Sequence, residues 1–243
     1  MSPGLVAAKL ALGPILLPQA RWVRRVALRL PEPAGAREGL VGEGAPALRL
    51  LVVGDSSAAG VGVADQAQAL ALPLAHRLHE ALAAPVAWQL VARSGVNSAE
   101  ARELAAAAAL QPADVAIVAL GVNDVSSQTS PRRFQAQLDA LWADLRARTG
   151  ARWAVFNGLP PMQILPLVPH PLRWYLGRCA QALDDAVQGW TQSQGLGYCA
   201  LRWADDPQAL AEDGFHPGPS QYPQWAQRLA QTIVEGRGQW ARG

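Results

Sequence analysis

Charged residues are scarce in this sequence, and it has no basic cluster beyond its N-terminal region. Only 16% of the 243 residues are charged, 50% are hydrophobic, and the formal net charge is +2. A chain of this composition can bury enough apolar surface to fold as a globular protein, which excludes a disordered one. Without a basic patch, nucleic acid is not an expected partner.

Cysteine is also rare, with only two residues, Cys179 and Cys199. Two thiols provide neither a disulfide framework nor the ligand cluster of a metal site. Cys179 falls in an expected helix and Cys199 in an expected strand, where buried cysteines act as small apolar side chains. We therefore expect two buried thiols, and a single bridge between them stays open as the alternative.

The sequence also lacks an apolar run long enough to cross a membrane. Residues 4–18 are apolar, but the run is shorter than the ~20 residues that a spanning helix needs, and a Gly-Pro pair interrupts it. Three arginines follow between residues 21 and 25, whereas a signal peptide carries its basic residues before the apolar stretch. Residues 4–25 are therefore either a helix that packs on the domain or a segment in peripheral contact with a membrane. We expect a cytoplasmic or peripherally membrane-associated protein.

Apolar runs alternate with helical patterns after a glycine- and proline-rich stretch at residues 31–47, which is typical of a linker or surface loop. The strand candidates are residues 48–53, 86–92, 115–120, 153–157 and 197–201. The helix candidates are residues 68–83, 99–110, 131–148, 172–193 and 221–234.

Five strands that alternate with helices predict a five-stranded parallel sheet covered on both faces. The expected fold is a three-layer α/β/α sandwich of the flavodoxin-like kind. We expect an N-terminal apolar and basic extension with its linker over residues 1–47, followed by a single domain over residues 48–243.

Polar residues follow several expected strands, at the edge where open α/β sheets bind ligands. They occupy residues 54–57 (Gly-Asp-Ser-Ser), 93–97 (Arg-Ser-Gly-Val-Asn), 121–124 (Gly-Val-Asn-Asp) and 213–216 (Asp-Gly-Phe-His). Taken alone, the first segment would be an ordinary turn into a helix. Acyl transfer, however, needs a nucleophile, a base, a group that orients the base and donors for an oxyanion. These four segments contain a candidate for each.

With these four blocks in this order, the sequence resembles the GDSL, or SGNH, family of serine hydrolases. The resemblance covers about residues 48–235 and includes the Gly-Asp-Ser block, Gly95, the Gly-x-Asn-Asp block and the Asp-x-x-His block. The sequence departs from the family name at Ser57, where the name implies leucine. The resemblance implies an SGNH-type fold and makes the domain from Leu48 onward the catalytic domain.

The resemblance also implies a role for each candidate residue. A serine hydroxyl is a poor nucleophile until a base takes its proton, so Ser56 would attack with His216 as base and Asp213 holding the histidine ring. The oxyanion would be stabilised by the backbone N–H groups of Ser56 and Gly95 and by the side-chain amide of Asn123. None of these steps requires a metal or an organic cofactor.

Other acidic residues admit different interpretations. Asp205 and Asp206, before a proline in an expected loop, are the alternative acids for the histidine. We interpret Asp55 and Asp124 as side chains that brace their loops by hydrogen bonds.

We expect a serine esterase or acyl hydrolase that acts on small acyl esters. A carbohydrate O-acetylesterase, a lysophospholipase or a thioesterase of the same fold is the alternative, and the apolar residues between 160 and 174 favour acyl esters over sugars. A non-catalytic ligand-binding protein is an alternative of another class, but the set of reactive residues argues against it. Residues 60–65 lack the third glycine of a dinucleotide-binding fingerprint, which disfavours a nucleotide site.

Overall fold

Six strands form one sheet in the computed structural model, which describes residues 3–241. The strands are β1 (Glu38–Val41), β2 (Leu48–Gly54), β3 (Val86–Ala92), β4 (Val115–Ala119), β5 (Trp153–Asn157) and β6 (Gly197–Cys199). Their order is β1-β3-β2-β4-β5-β6, with β2 to β6 parallel and β1 antiparallel to β3. The predicted α/β fold with a parallel sheet is confirmed, and an antiparallel edge strand is added to the five expected strands.

The edge strand β1 lies in the stretch that was interpreted as a linker. Val41 pairs with Val86 and Glu38 with Gln89, so these residues belong to the sheet. Three of the four β1 residues are exposed, and therefore no buried apolar run marks the strand in the sequence. A domain boundary at Leu48 stays a prediction.

Helices cover both faces of the sheet. They are α1 (Pro3–Val26), α2 (Ala71–Leu82), α3 (Ser98–Ala107), α4 (Val122–Ser126), α5 (Pro131–Thr149), α6 (Leu172–Gln194), α7 (Gln221–Glu235) and α8 (Arg237–Trp240). One apolar core joins the sheet to α1, α3, α5 and α6, and a second core joins it to α2 and α7. Strands β4 and β5 are buried along their whole length, as expected for parallel strands covered on both faces.

The N-terminal helix α1 packs on α6 by one face. Leu5 and Leu16 are buried in the same core as the apolar side chains of α6. The Gln19 side chain donates a hydrogen bond to the His170 carbonyl (2.6 Å) and accepts one from the Leu172 N–H (3.1 Å). Of the two alternatives for residues 4–25, packing on the domain therefore applies to this face of α1.

The helical conformation of α1 continues through Pro14 and Pro18, so the Gly-Pro pair does not end it. Each proline removes one backbone donor, and packing against α6 holds the helix in place despite that loss. No helix within residues 3–241 is long and apolar enough to cross a membrane.

Both cysteines are buried free thiols, as the first interpretation expected. Burial raises the pKa of both side chains, that of Cys199 to about 11. Both thiols are therefore uncharged near neutral pH, and they serve as apolar packing groups in the two cores.

Candidate active site

The carboxyl ends of three neighbouring strands bring the predicted polar segments together. Ser56 follows β2, Gly95 follows β3, and Asn123 lies in the first turn of α4 directly after β4. Because β2 lies between β3 and β4 in the sheet, the loop that carries Ser56 is flanked by the other two. His216 reaches the same edge from the loop between β6 and α7, which completes the set.

A chain of hydrogen bonds connects Ser56, His216 and Asp213. The Ser56 Oγ lies 2.9 Å from the His216 Nε2, and the His216 Nδ1 lies 2.6 Å from the Asp213 Oδ2. The imidazole is therefore held between a hydroxyl and a carboxylate, an arrangement in which it can take the hydroxyl proton. Of the two alternative acids, Asp206 instead accepts a hydrogen bond from the Gln208 N–H and caps a short helix at residues 207–209.

The environment of Asp213 favours its charged form. Burial acts to raise its pKa, but hydrogen bonds from the His216 ring and from the N–H groups of His216 and Phe215 outweigh that effect and lower it. Asp213 is thus a carboxylate that can orient the ring and stabilise a positive charge on it.

The loop after β2 is held by close backbone packing and by hydrogen bonds. A Cβ on Gly54 would lie 2.4 Å from the Ala58 Cβ and 2.7 Å from the Ala119 oxygen, so only glycine fits there. The Asp55 N–H donates to the Ala119 carbonyl (3.1 Å), and the Asp55 Oδ1 accepts from the Ser57 N–H (3.0 Å). These contacts fix the start of the turn that presents Ser56.

Tyr222 on α7 also holds this loop and was not identified from the sequence. Its hydroxyl lies 3.0 Å from the Ser57 carbonyl oxygen and 2.7 Å from that of Val61. In the sequence Tyr222 is one aromatic residue of an amphipathic helix, which is the signal of a core residue. Its connection to the loop depends on a contact between residues far apart in the chain.

The three donors expected for an oxyanion each have a hydrogen without a protein acceptor within residues 3–241. The N–H groups of Ser56 and Gly95 make no hydrogen bond to another residue within 3–241. Gly95 has a φ of +83°, which favours glycine there. The Asn123 Nδ2 donates one hydrogen to the Val96 carbonyl (3.0 Å), which orients the amide and leaves its second hydrogen unused.

Asp124 braces the loops that carry these donors, as its interpretation from the sequence expected. Its two oxygens accept the Ser98 hydroxyl (2.6 Å) and the Ser98 N–H (3.0 Å), which ties α4 to the start of α3. Burial raises the pKa of Asp124, although the Ser98 bonds oppose that effect. Ser98 was not identified from the sequence, where it is only a small residue at a helix start.

An apolar cavity of about 70 Å³ lies beside Ser56 and His216. Leu165, Leu201 and Trp203 are among its lining side chains. Leu165 belongs to the apolar segment between residues 160 and 174, which the sequence analysis interpreted as favouring acyl esters. The cavity can receive a small apolar group attached to an atom at the Ser56 hydroxyl.

Asp55 is a carboxyl group buried under the nucleophile loop. Burial raises its pKa from 3.8 to about 6, against the opposing effects of the Ser57 N–H and of a nearby positive charge on His216. The folded protein therefore favours the protonated Asp55 more than the unfolded chain does. Its contribution to stability is present below pH 4 and is lost as the pH rises through 6.

The family model for GDSL-like lipases and acylhydrolases matches residues 52–233. The match contains Ser56, Gly95, Asn123, Asp213 and His216, whereas α1 and β1 lie outside it. A search of curated proteins gave no match.

Solved structures of similar fold include that of TesA, with a TM-score of 0.61 and 22% identity over 77% of this chain and 98% of TesA. The psychrotrophic esterase EstA from Pseudoalteromonas sp. has a TM-score of 0.58 and 17% identity over 78% of this chain and 98% of its own. Est24, a carbohydrate acetylesterase from Sinorhizobium meliloti, has a TM-score of 0.55 and 16% identity over 77% and 99%. At these identities the similarity establishes the fold.

The Asp55→Asn variant should be stabilised relative to the wild type as the pH rises from 4 to 7.5. The difference in unfolding free energy between the two proteins should change by up to about 3 kcal/mol, because one pKa unit is worth about 1.4 kcal/mol. Urea unfolding at the two pH values measures it. Asp139→Asn, at an exposed position of α5, is the matched control. A difference that stays constant with pH would show that Asp55 does not titrate in this range.

Proposed function

The chain belongs to the GDSL-like lipase/acylhydrolase family, and on that premise we propose that it is a serine esterase that cleaves carboxylic esters through Ser56, His216 and Asp213. We base this on the hydrogen bonds that join the three side chains, at 2.9 and 2.6 Å. The three donors beside Ser56 supply the stabilisation that a tetrahedral intermediate needs.

In the proposed reaction the Ser56 Oγ attacks the ester carbonyl while the His216 Nε2 takes its proton. The carbonyl oxygen gains the negative charge and accepts hydrogen bonds from the Ser56 N–H, the Gly95 N–H and the Asn123 amide. The His216 proton then passes to the leaving alkoxide, and an acyl group stays on Ser56. Water, deprotonated by His216, repeats the attack and releases the acid. Asp213 stabilises the positive ring in both halves of the reaction.

The substrate class follows from the walls around Ser56. The cavity beside it is mostly apolar, and its side chains offer few partners for the hydroxyl groups of a sugar. We therefore propose small-molecule acyl esters as substrates, in preference to acetylated carbohydrates.

Ser56→Ala should abolish ester hydrolysis, with a loss of about 10⁴–10⁶ in kcat, because among residues 3–241 no other hydroxyl is hydrogen-bonded to His216. Ser57→Ala is the matched control. Its N–H still donates to Asp55 and it has no role in proton transfer, so it should stay within roughly tenfold of the wild type. Hydrolysis of p-nitrophenyl acetate and labelling by a fluorophosphonate measure both variants. A label carried by Ser57, or retained in Ser56→Ala, would disprove the assignment.

Asn123→Ala should lower kcat about 10²–10³-fold with little change in KM, because it removes a donor that acts on the transition state. Ser127→Ala, at the exposed end of the same helix, should leave kcat unchanged. Steady-state kinetics on p-nitrophenyl butyrate separate the two parameters. Unchanged kcat with a large rise in KM would make Asn123 a substrate-binding residue and remove it from the oxyanion hole.

We further propose that α1 makes a peripheral contact with an anionic lipid surface. Its outer side exposes Ile15, Trp22 and Val26, which are each nearly half exposed. The first 31 residues contain no acidic residue, and their basic residues are Lys9, Arg21, Arg24, Arg25 and Arg29. Apolar side chains beside positive charge are what an interfacial helix presents to anionic lipid.

The double variant Arg21→Ala/Arg25→Ala should bind vesicles containing phosphatidylglycerol about 30-fold more weakly, since each basic residue near such a surface is worth about 1 kcal/mol. Arg132→Ala/Arg133→Ala, which removes two exposed arginines from α5, should bind like the wild type. Co-sedimentation with phosphatidylglycerol and with pure phosphatidylcholine vesicles measures the effect. Equal sedimentation of wild type and both variants would show that α1 is only a packing helix.

A further inference from the structure

An apolar groove of about 750 Å³ lies between α1 and the chain segment that leads into α6. We call it the α1 groove. Gly13, Leu17 and Ala20 line one wall, and their spacing of four and three residues places them on one face of the helix. Val168 and Leu172 line the opposite wall. The volume lies within the ~300–1,000 Å³ typical of sites that hold small ligands.

The α1 groove leads to the candidate active site. Met162, Phe215 and His216 line both the groove and the cavity beside Ser56. An extended molecule with its reacting atom at the Ser56 hydroxyl therefore has a continuous path along these side chains into the groove.

The groove also leaves apolar surface open to solvent. Leu10 is 76% exposed, Leu17 61% and Leu28 53%, and all three line it. Contiguous exposed apolar surface of this kind marks a binding site more often than scattered single residues do. A ligand that covers these leucines must itself be apolar along most of its length.

The polar side chains in the interior of the groove are already hydrogen-bonded within the protein. The Tyr175 hydroxyl donates to the Gln128 Oε1 (2.7 Å), and the Gln128 Nε2 donates to the Val125 carbonyl (2.9 Å). The charged residues on the α1 side, Lys9 and Arg24, are exposed, and Asp213 and His216, which line the end of the groove next to Ser56, are hydrogen-bonded to each other. The interior therefore offers contact to a hydrocarbon chain and few partners to a polar ligand.

We propose that the α1 groove binds the acyl chain of a lipid ester while its carbonyl lies at Ser56. This inference rests on the proposed esterase function and gives its substrate class as esters of medium to long acyl chains. Helix α1 lies outside residues 52–233, so this wall is an addition to the part of the chain that matches the family model. Each methylene buried in the groove should strengthen binding about fourfold.

The test uses phenylalanine at two glycines of α1. A Cβ at Gly13 or at Gly4 would meet no atom within 4 Å, so both positions accept a larger side chain. Gly13 lines the groove, whereas Gly4 is exposed and does not. Gly13→Phe should lower kcat/KM for p-nitrophenyl dodecanoate at least tenfold and change that for the acetate by less than about twofold. Gly4→Phe should match the wild type on both esters.

A binding measurement keeps this inference separate from the esterase proposal. The fluorescent fatty acid cis-parinaric acid should bind the full-length wild type and Gly4→Phe, and should bind Gly13→Phe at least tenfold more weakly. If the acetate is cleaved but Gly13→Phe changes neither the chain-length preference nor fatty-acid binding, the groove proposal is overturned and the esterase proposal stands. If no ester is cleaved but the fatty acid binds in a Gly13-dependent way, the groove still binds acyl chains and the esterase proposal fails. Equal losses in Gly4→Phe and Gly13→Phe would also overturn the groove proposal.

Discussion

The close approach of Gly54 to the end of β4 is the constraint on which the candidate site depends. The backbone there passes so near Ala58 and the Ala119 oxygen that no side chain fits. The chain consequently turns away from the sheet immediately after β2. The next residue, Asp55, still donates its backbone N–H to the Ala119 carbonyl at the end of β4. Ser56 thus follows a closely packed junction between two strands. The backbone at this junction determines where the Ser56 hydroxyl lies relative to His216.

Three buried aspartates around this junction differ in pKa because burial and hydrogen bonding oppose each other with a different balance at each one. Asp213 accepts three hydrogen bonds, one from a ring that can become charged, so its pKa falls despite burial. Asp124 accepts hydrogen bonds from Ser98 and Thr129, and Asp55 accepts them from Ser57, but the effect of burial outweighs these bonds and both pKa values rise. The two raised groups hold loops in position at a cost in stability near neutral pH. The lowered group is the one that touches the candidate base.

The sequence predicts the parts of this arrangement that are local. Buried parallel strands are continuous apolar runs, and the three polar blocks at strand ends and the fourth before α7 are short enough to be recognised from the sequence. Strand β1 could not be predicted, because its exposed residues carry no apolar pattern and its pairing with β3 joins positions 41 and 86. Tyr222 and Ser98 could not be identified either, since their roles depend on hydrogen bonds to residues more than twenty positions away.

Helix α1 shows why two interpretations of one apolar segment can both be useful. Burial of apolar residues on one face is sufficient for a helix to pack, and in α1 Leu5 and Leu16 provide this burial against α6. Burial of that face alone does not account for the further leucines that α1 exposes, which cost free energy in water. Burial of the packed face must offset the free-energy cost of exposing these leucines. Their exposure serves a function only if an apolar ligand covers them. Because the packed face and the groove face lie on the same helix, any ligand in the groove also contacts the element that anchors the N-terminus. Binding there and anchoring of α1 should therefore stabilise each other.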